Sequence, residues 1–344
     1  MPRLRSSLRA LVPAALRRRL RDWLEGARRQ FPGPLRSLPQ LGLAETQIYP
    51  QGSNFDGLLQ RALVPKLDGL GLGRSTPVAS IGTCFAEEFA FFMQARGLNY
   101  LRTEPDALAA SANWGRVYTI PNLLQIVRYS LDAGFPVAME RSGQGYFDPL
   151  REHLRLHSGS REEAEAAIRA HRAASRRAFT DCEVLVITVG QNEAWIDRDS
   201  GFVWARMPPK EVLESRRATF DVREFTHREN LDALDAALDH LKAANPRLRV
   251  LLTVSPVPSF ASFTDSDVVS RSFANKCLLR AVVDEVVRAR PGKAYYFPSF
   301  EIVLCYNPTS FRADNRHVKY ASVDRIFALL ERTTGLAGAA GGPG

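Results

Sequence analysis

Four side chains suited to nucleophilic, acid–base and oxyanion-binding chemistry fall at turns of the chain. Thr83 follows a glycine in VASIGTCFAEEFA (78–90), Asn192 follows one closely in GQNEAW (190–195), and Asp314 and His317 stand three residues apart. A hydroxyl is a weak nucleophile until a base removes its proton. An imidazole with one nitrogen held by a carboxylate offers the other as that base. The i,i+3 spacing puts Asp314 and His317 on one face if the segment is a first helical turn. The Asn192 amide and a backbone N–H from a glycine turn are suitable donors to a developing oxyanion. Together these groups suit attack on a carbonyl.

Each residue also has a plainer reading, and the sequence leaves both open. Thr83 can simply cap a helix beginning at Cys84. Asn192 can satisfy loop backbone groups, and His317 can be a surface histidine after an aspartate N-cap. Arg316 is either a solvated arginine or a contact for an anionic substrate group. Cys84 is expected to be a buried, inert thiol. Glu193 and Trp195 are expected to shape a pocket rather than react. His153 and His157 are spaced for one helix face, but no third ligand suggests itself. His171, His227 and His240 fall in polar helical runs and are expected to be exposed.

The elements that must position these groups alternate. Residues 77–81 are strand-like and 84–96 helical. REEAEAAIRAHRAASRRA (161–178) is rich in helix formers, and CEVLVITVG (182–190) is apolar enough for a strand buried on both faces. A helix over 229–243 precedes RLRVLLTVSPV (247–257), a second buried strand. A helix over 273–289, a strand over 293–299 and a closing helix over 317–333 complete the pattern. Alternation of this kind predicts an α/β fold with a mostly parallel sheet covered on both faces. Such sheets place their sites at the carboxyl ends of the strands, where Thr83 and Asn192 fall. There is no internal repeat and no Walker or dinucleotide fingerprint.

Charge divides the chain. Residues 1–36 hold ten Arg against Asp22 and Glu25, a net +8, whereas the whole chain is +9. The body is therefore almost neutral, and the basic balance gives no ground for specific nucleic-acid binding. Leu16, Leu20, Trp23, Leu24 and Ala27 make one apolar stripe on an Arg-rich helix, which fits an anionic membrane surface or packing on the body. LVPAAL is too short for the apolar core of a signal peptide. Four dispersed cysteines suggest neither a disulfide framework nor a zinc site and fit a cytoplasmic protein, peripheral to the inner membrane if the tail docks there. The expected organisation is a basic tail and Pro-rich linker over 1–40, one α/β domain over 41–335, and a disordered Gly/Ala tail over 336–344.

IGTCFAEEF resembles the signature of the GSCFA family, a branch of the SGNH (GDSL-like) hydrolases, with Thr83 where the signature has Ser. The order of parts is similar too: NWGRVYTIPNLLQ (113–125), the block Gly190 to Glu193, VSPVP (254–258) and the late Asp314-x-x-His317. The resemblance spans roughly 75–330. It implies a flavodoxin-like, SGNH-type three-layer α/β/α sandwich and ester hydrolysis or O-acyl transfer, typically on carbohydrate or lipid-linked substrates. In the implied mechanism His317, oriented by Asp314, takes the Thr83 proton. Asn192, the Thr83 N–H and Gly115 hold the oxyanion, and Gly190 and Glu193 belong to the substrate-binding block. No metal or organic cofactor is required. The rival expectation is a non-catalytic protein on the same fold that binds a glycan or lipid head group.

Overall fold

The computed structural model describes residues 63–305 and 310–336, apart from 106, 108, 143–144, 152–154 and 157–159, together with residues 19, 43–47, 49, 57 and 61. Met1–Val64 and Pro65–Gly344 are separate compact units. The apolar stripe Leu16 to Ala27, the Gly/Ala stretch 337–344, and His153 with His157 lie outside the described residues. No helix among the described residues is long and apolar enough to cross a membrane.

The second unit begins with β1 (Val78–Gly82), α1 (Cys84–Ala95) and α2 (Ile120–Leu131). A small antiparallel sheet of β2 (Glu140–Ser142), β3 (Gly145–Phe147) and β4 (Arg155–Leu156) follows. Then come α3 (Arg161–Asp181) and β5 (Val184–Val189). An antiparallel pair, β6 (Glu193–Asp197) and β7 (Phe220–Glu224), brackets α4 (Lys210–Arg216). The chain closes through α5 (His227–Ala244), β8 (Arg249–Val254), α6 (Val268–Ala289), β9 (Ala294–Tyr296), α7 (Ser299–Cys305) and α8 (Tyr320–Thr333).

β1, β5, β8 and β9 form one parallel sheet in that order. A single parallel bridge from Val78 to Tyr100 extends it beyond β1. The apolar runs form strands because both faces are covered, so their backbone polar groups must pair laterally. On one face Ile81, Ile187 and Leu252 pack in a continuous core with Ile126 of α2, Phe179 of α3, Leu234 of α5 and Val283 of α6. On the other, Phe85 and Phe92 of α1 stack on Phe327 of α8, with centroids 5.9 and 4.2 Å apart. Helices thus flank the sheet in a three-layer α/β/α arrangement, as the alternation predicts.

Helix starts are fixed locally. Ser160 with Glu163 and Thr226 with Glu229 form capping boxes at α3 and α5, each satisfying two otherwise orphaned N–H groups. Register then aligns the strand ends: Gly82 lies opposite Thr188, and Thr188 opposite Thr253. The residues just past β1, β5 and β8 therefore meet at one rim.

Two expectations are corrected. The closing helix starts at Tyr320, not at 317, because Phe311 and Val318 pair across a turn. Asp314 and His317 sit in that turn, where Asn315 takes a φ of +57°, not on a helix. His171 is 2% exposed rather than solvated. Its Nδ1 pairs with Glu104 at 2.8 Å, and Ser175, close to its Nε2, accepts from Trp114 Nε1 at 2.8 Å. Its neighbours in sequence are polar, but its face of α3 is the buried one.

Candidate active site

A cleft of about 180 Å³ opens at the carboxyl ends of β1, β5 and β8. Thr83, Gly190 and Ser255 come to it from the three strand ends, Lys276 from α6, and Arg316 and His317 from the turn before α8. Thr83 and His317, 234 positions apart in the chain, thus line one site.

Thr83 is both a cap and a lining residue. Its Oγ1 accepts from the Phe85 N–H at 3.3 Å as N-cap of α1. Capping occupies a lone pair and leaves the hydroxyl proton free, while the positive end of the helix favours negative charge on that oxygen. Two glycines make this position. Gly82 has a φ of +142°, and a Cβ there would come within 2.3 Å of the Thr188 carbonyl oxygen, so no side chain fits between β1 and β5. A Cβ on Gly190 would fall 2.4 Å from Thr83 Cγ2. The bare Gly190 is what accommodates the threonine methyl, and this contact constrains the rotamer of the hydroxyl.

Asp314 Oδ2 pairs with His317 Nδ1, and Asp314 Oδ1 accepts from the backbone N–H of Arg316 at 3.1 Å and of His317 at 3.0 Å. The hydrogen bond from His317, helped by these two N–H groups, holds the Asp314 carboxyl well below its usual range. With Nδ1 on the carboxylate, Nε2 remains as the proton acceptor. The His317 side chain is 51% exposed. The turn is tied to the cleft by Arg316, whose guanidinium donates to the Pro258 carbonyl at 3.2 Å.

Asn192 is not brought into the cleft. It is 2% exposed; its amide nitrogen donates to the Phe225 carbonyl at 2.7 Å, and its oxygen accepts from Asn230 Nδ2 at 2.7 Å. It joins β5 to α5 instead of facing a substrate. Glu193 lines the neighbouring cavity, where it accepts from Ser262 Oγ at 2.7 Å and the Phe263 N–H at 2.9 Å. Gly115 is not a lining residue, although Arg116 and Tyr118 beyond it are. That segment is stitched to the rim by Val117 N–H on the Gly82 carbonyl at 2.7 Å and by Gly190 N–H on the Tyr118 carbonyl at 3.1 Å. Cys84 also lines the cleft, with its thiol pushed up by burial, which disfavours the reactive thiolate.

The residue that sequence reasoning missed is Lys276. It is 4% exposed, lines the cleft and donates to the Gly190 carbonyl. Among the described residues no carboxylate pairs with it, and burial pushes its ammonium down to about 7. The signal was present in the sequence. Lys276 occupies the apolar stripe of α6, one turn before Leu279 and two before Val283, where a charged side chain is out of place.

A parallel-sheet α/β/α protein with a hydroxyl at the end of its first strand and, in the same cleft, a late histidine held by an aspartate is the class that fold and geometry define. The chain belongs to the GSCFA family, whose sequence model matches residues 77–329. Among curated proteins none matches the chain.

Proposed function

We propose that the protein is an esterase or O-acyltransferase of SGNH type, acting on acyl esters of carbohydrate or of a lipid-linked glycan, with Thr83 as nucleophile. The observation that carries this reading is the shared cleft of Thr83 and His317, with Asp314 on the histidine's other nitrogen. His317 Nε2 takes the Thr83 Oγ1 proton, and Oγ1 bonds to the ester carbonyl carbon. Collapse of the tetrahedral intermediate breaks the bond to the leaving alkoxide, which takes the proton back from His317. Water or a sugar hydroxyl then resolves the acyl-threonine by the same steps in reverse.

With Asn192 engaged elsewhere, the oxyanion falls to the backbone N–H groups at the start of α1 and to the Lys276 ammonium. A cation desolvated this far stabilises developing negative charge much more than it would in water. Four free thiols support a cytoplasmic setting, and the Arg-rich segment within residues 1–36 is assigned to an anionic membrane surface.

The test is turnover of short-chain aryl acetates by the native protein, Thr83→Ala, Thr83→Ser, Cys84→Ala and His317→Ala. The native protein, Thr83→Ser and Cys84→Ala are expected to turn over, and Thr83→Ala and His317→Ala to lose activity. Equal inertness of all five forms would remove ester hydrolysis from the reading.

A further inference from the structure

Beside the Thr83 cleft lies a larger cavity of about 300 Å³. Tyr118, Gln191 and Arg316 line both, so the two adjoin. Phe260 and Phe263 give the larger one exposed aromatic walls, and the mostly buried Trp195 and Trp204 also line it. Gln191 adds an amide side chain with no protein partner among the described residues. Aromatic surface with a few polar groups suits a saccharide, whose C–H faces lie on rings and whose hydroxyls bond to amides.

Charge narrows the choice. Three arginines, Arg206, Arg271 and Arg316, line this cavity against one carboxylate, Glu193. Glu193 is occupied by Ser262 and the Phe263 N–H. Arg271 is matched by Glu224 at 2.9 Å. Arg316 has no carboxylate partner among the described residues; it donates to the Pro258 carbonyl and lies 5.1 Å over the Phe260 ring. Arg206 is exposed and has no partner among the described residues. Two guanidinium groups therefore stand without a paired carboxylate and outnumber the single charge of Glu193, in a chain that is only +1 outside residues 1–36. A planar guanidinium matches a carboxylate or phosphate in a two-pronged bond.

We infer that this cavity is a subsite for an anionic saccharide, a sugar unit bearing a carboxylate or a phosphate, with Arg206 and Arg316 on the anion. The inference rests on the proposed ester chemistry only for placing the acyl group in the Thr83 cleft; the binding itself does not depend on it.

Isothermal titration of the full chain with trigalacturonic acid, glucose 6-phosphate and neutral maltotriose tests it. At least one anionic probe is expected to bind, with maltotriose about tenfold weaker or silent. Whichever anion binds separates a carboxylate from a phosphate ligand. Arg206→Gln, at an exposed position, is expected to keep the native melting temperature and weaken the anionic probe about tenfold. Binding of maltotriose as tight as the anions, no binding of either anion, or an unchanged affinity in Arg206→Gln would each overturn the assignment. Aryl acetate turnover on the same samples keeps the two readings apart. Anion binding without turnover defeats the esterase reading alone, and turnover without anion binding defeats the subsite alone.

Discussion

Thr83 carries one methyl more than the serine of the signature it resembles, and Gly190 is where that methyl goes. The close approach makes a paired prediction. Gly190→Ala forces its new Cβ against Thr83 Cγ2, overpacking that costs about 1–3 kcal/mol. In Gly190→Ala with Thr83→Ser the nearest remaining neighbours are Ser255 Cβ at 3.4 Å and the residue 83 Cβ at 3.6 Å, ordinary contacts. Denaturant unfolding of both single variants and the double variant should show most of the loss recovered; a double variant as unstable as Gly190→Ala would refute the contact. Lys276 makes a second prediction at this scale. Lys276→Met should lower kcat on aryl acetates about 100-fold, the usual effect of removing one oxyanion donor. In the native protein activity should fall as pH rises through about 7, where Lys276 loses its proton, and that alkaline limb should be missing in the methionine variant. A limb that survives the substitution belongs to another group.

Among the elements, the long loop between β8 and α6 decides the shape of the site. It contributes Pro258, whose carbonyl holds Arg316, and Phe260 and Phe263, which wall the second cavity. Its tether is Glu193 on β6, through Ser262 and the Phe263 N–H. Glu193→Ala removes both bonds and leaves the loop tethered through Pro258 on Arg316 and the Ser259 N–H on Ser272 Oγ. Amide hydrogen exchange over 259–264 should quicken in this variant, while exchange in β5 and β8 stays as slow as in the native protein. Unchanged protection of the loop would mean that Glu193 is not its anchor. The β6–β7 pair that presents Glu193 is fixed from behind by Arg216, which donates to both Asp197 oxygens at 3.0 Å and also meets Glu140.

For the whole molecule, burial of Lys276 ties stability to pH. The folded-state value, about 7, lies below the 10.5 of a free lysine, so between these values the unfolded chain binds more protons than the folded one. Stability should therefore rise as pH increases from about 7 toward 10.5 and reach its full gain above it. As pH falls through about 7 this gain is lost. Lys276→Met should lack this slope, so its stability advantage over the native protein should shrink as pH rises, as read from urea midpoints at a series of pH values. The division of the chain gives a second prediction: a protein truncated to Pro65–Gly344 should melt cooperatively within a few degrees of the full chain. Loss of anionic liposome association on the same truncation would assign that role to the first unit.

Contiguous residues determined much of this protein. The runs at 182–190, 247–257 and 293–299 each contain a strand of the parallel sheet, and 77–81 covers all of β1 but Gly82, because an apolar run covered on both faces has few alternatives. The glycine turn before Thr83 and the bond between Asp314 and His317 span only a few residues, and both were legible. Tertiary structure decided which polar groups remain available. Asn192 looked like a donor because it follows a buried strand, but its partners Phe225 and Asn230 lie 33 and 38 residues away. His171 looked exposed because its neighbours in sequence are polar, yet Glu104, 67 residues distant, receives it in the interior. Lys276 reaches Gly190 across 86 residues. Periodicity is set by neighbours along the chain, whereas desolvation and hydrogen-bond satisfaction are set by groups that only folding brings together.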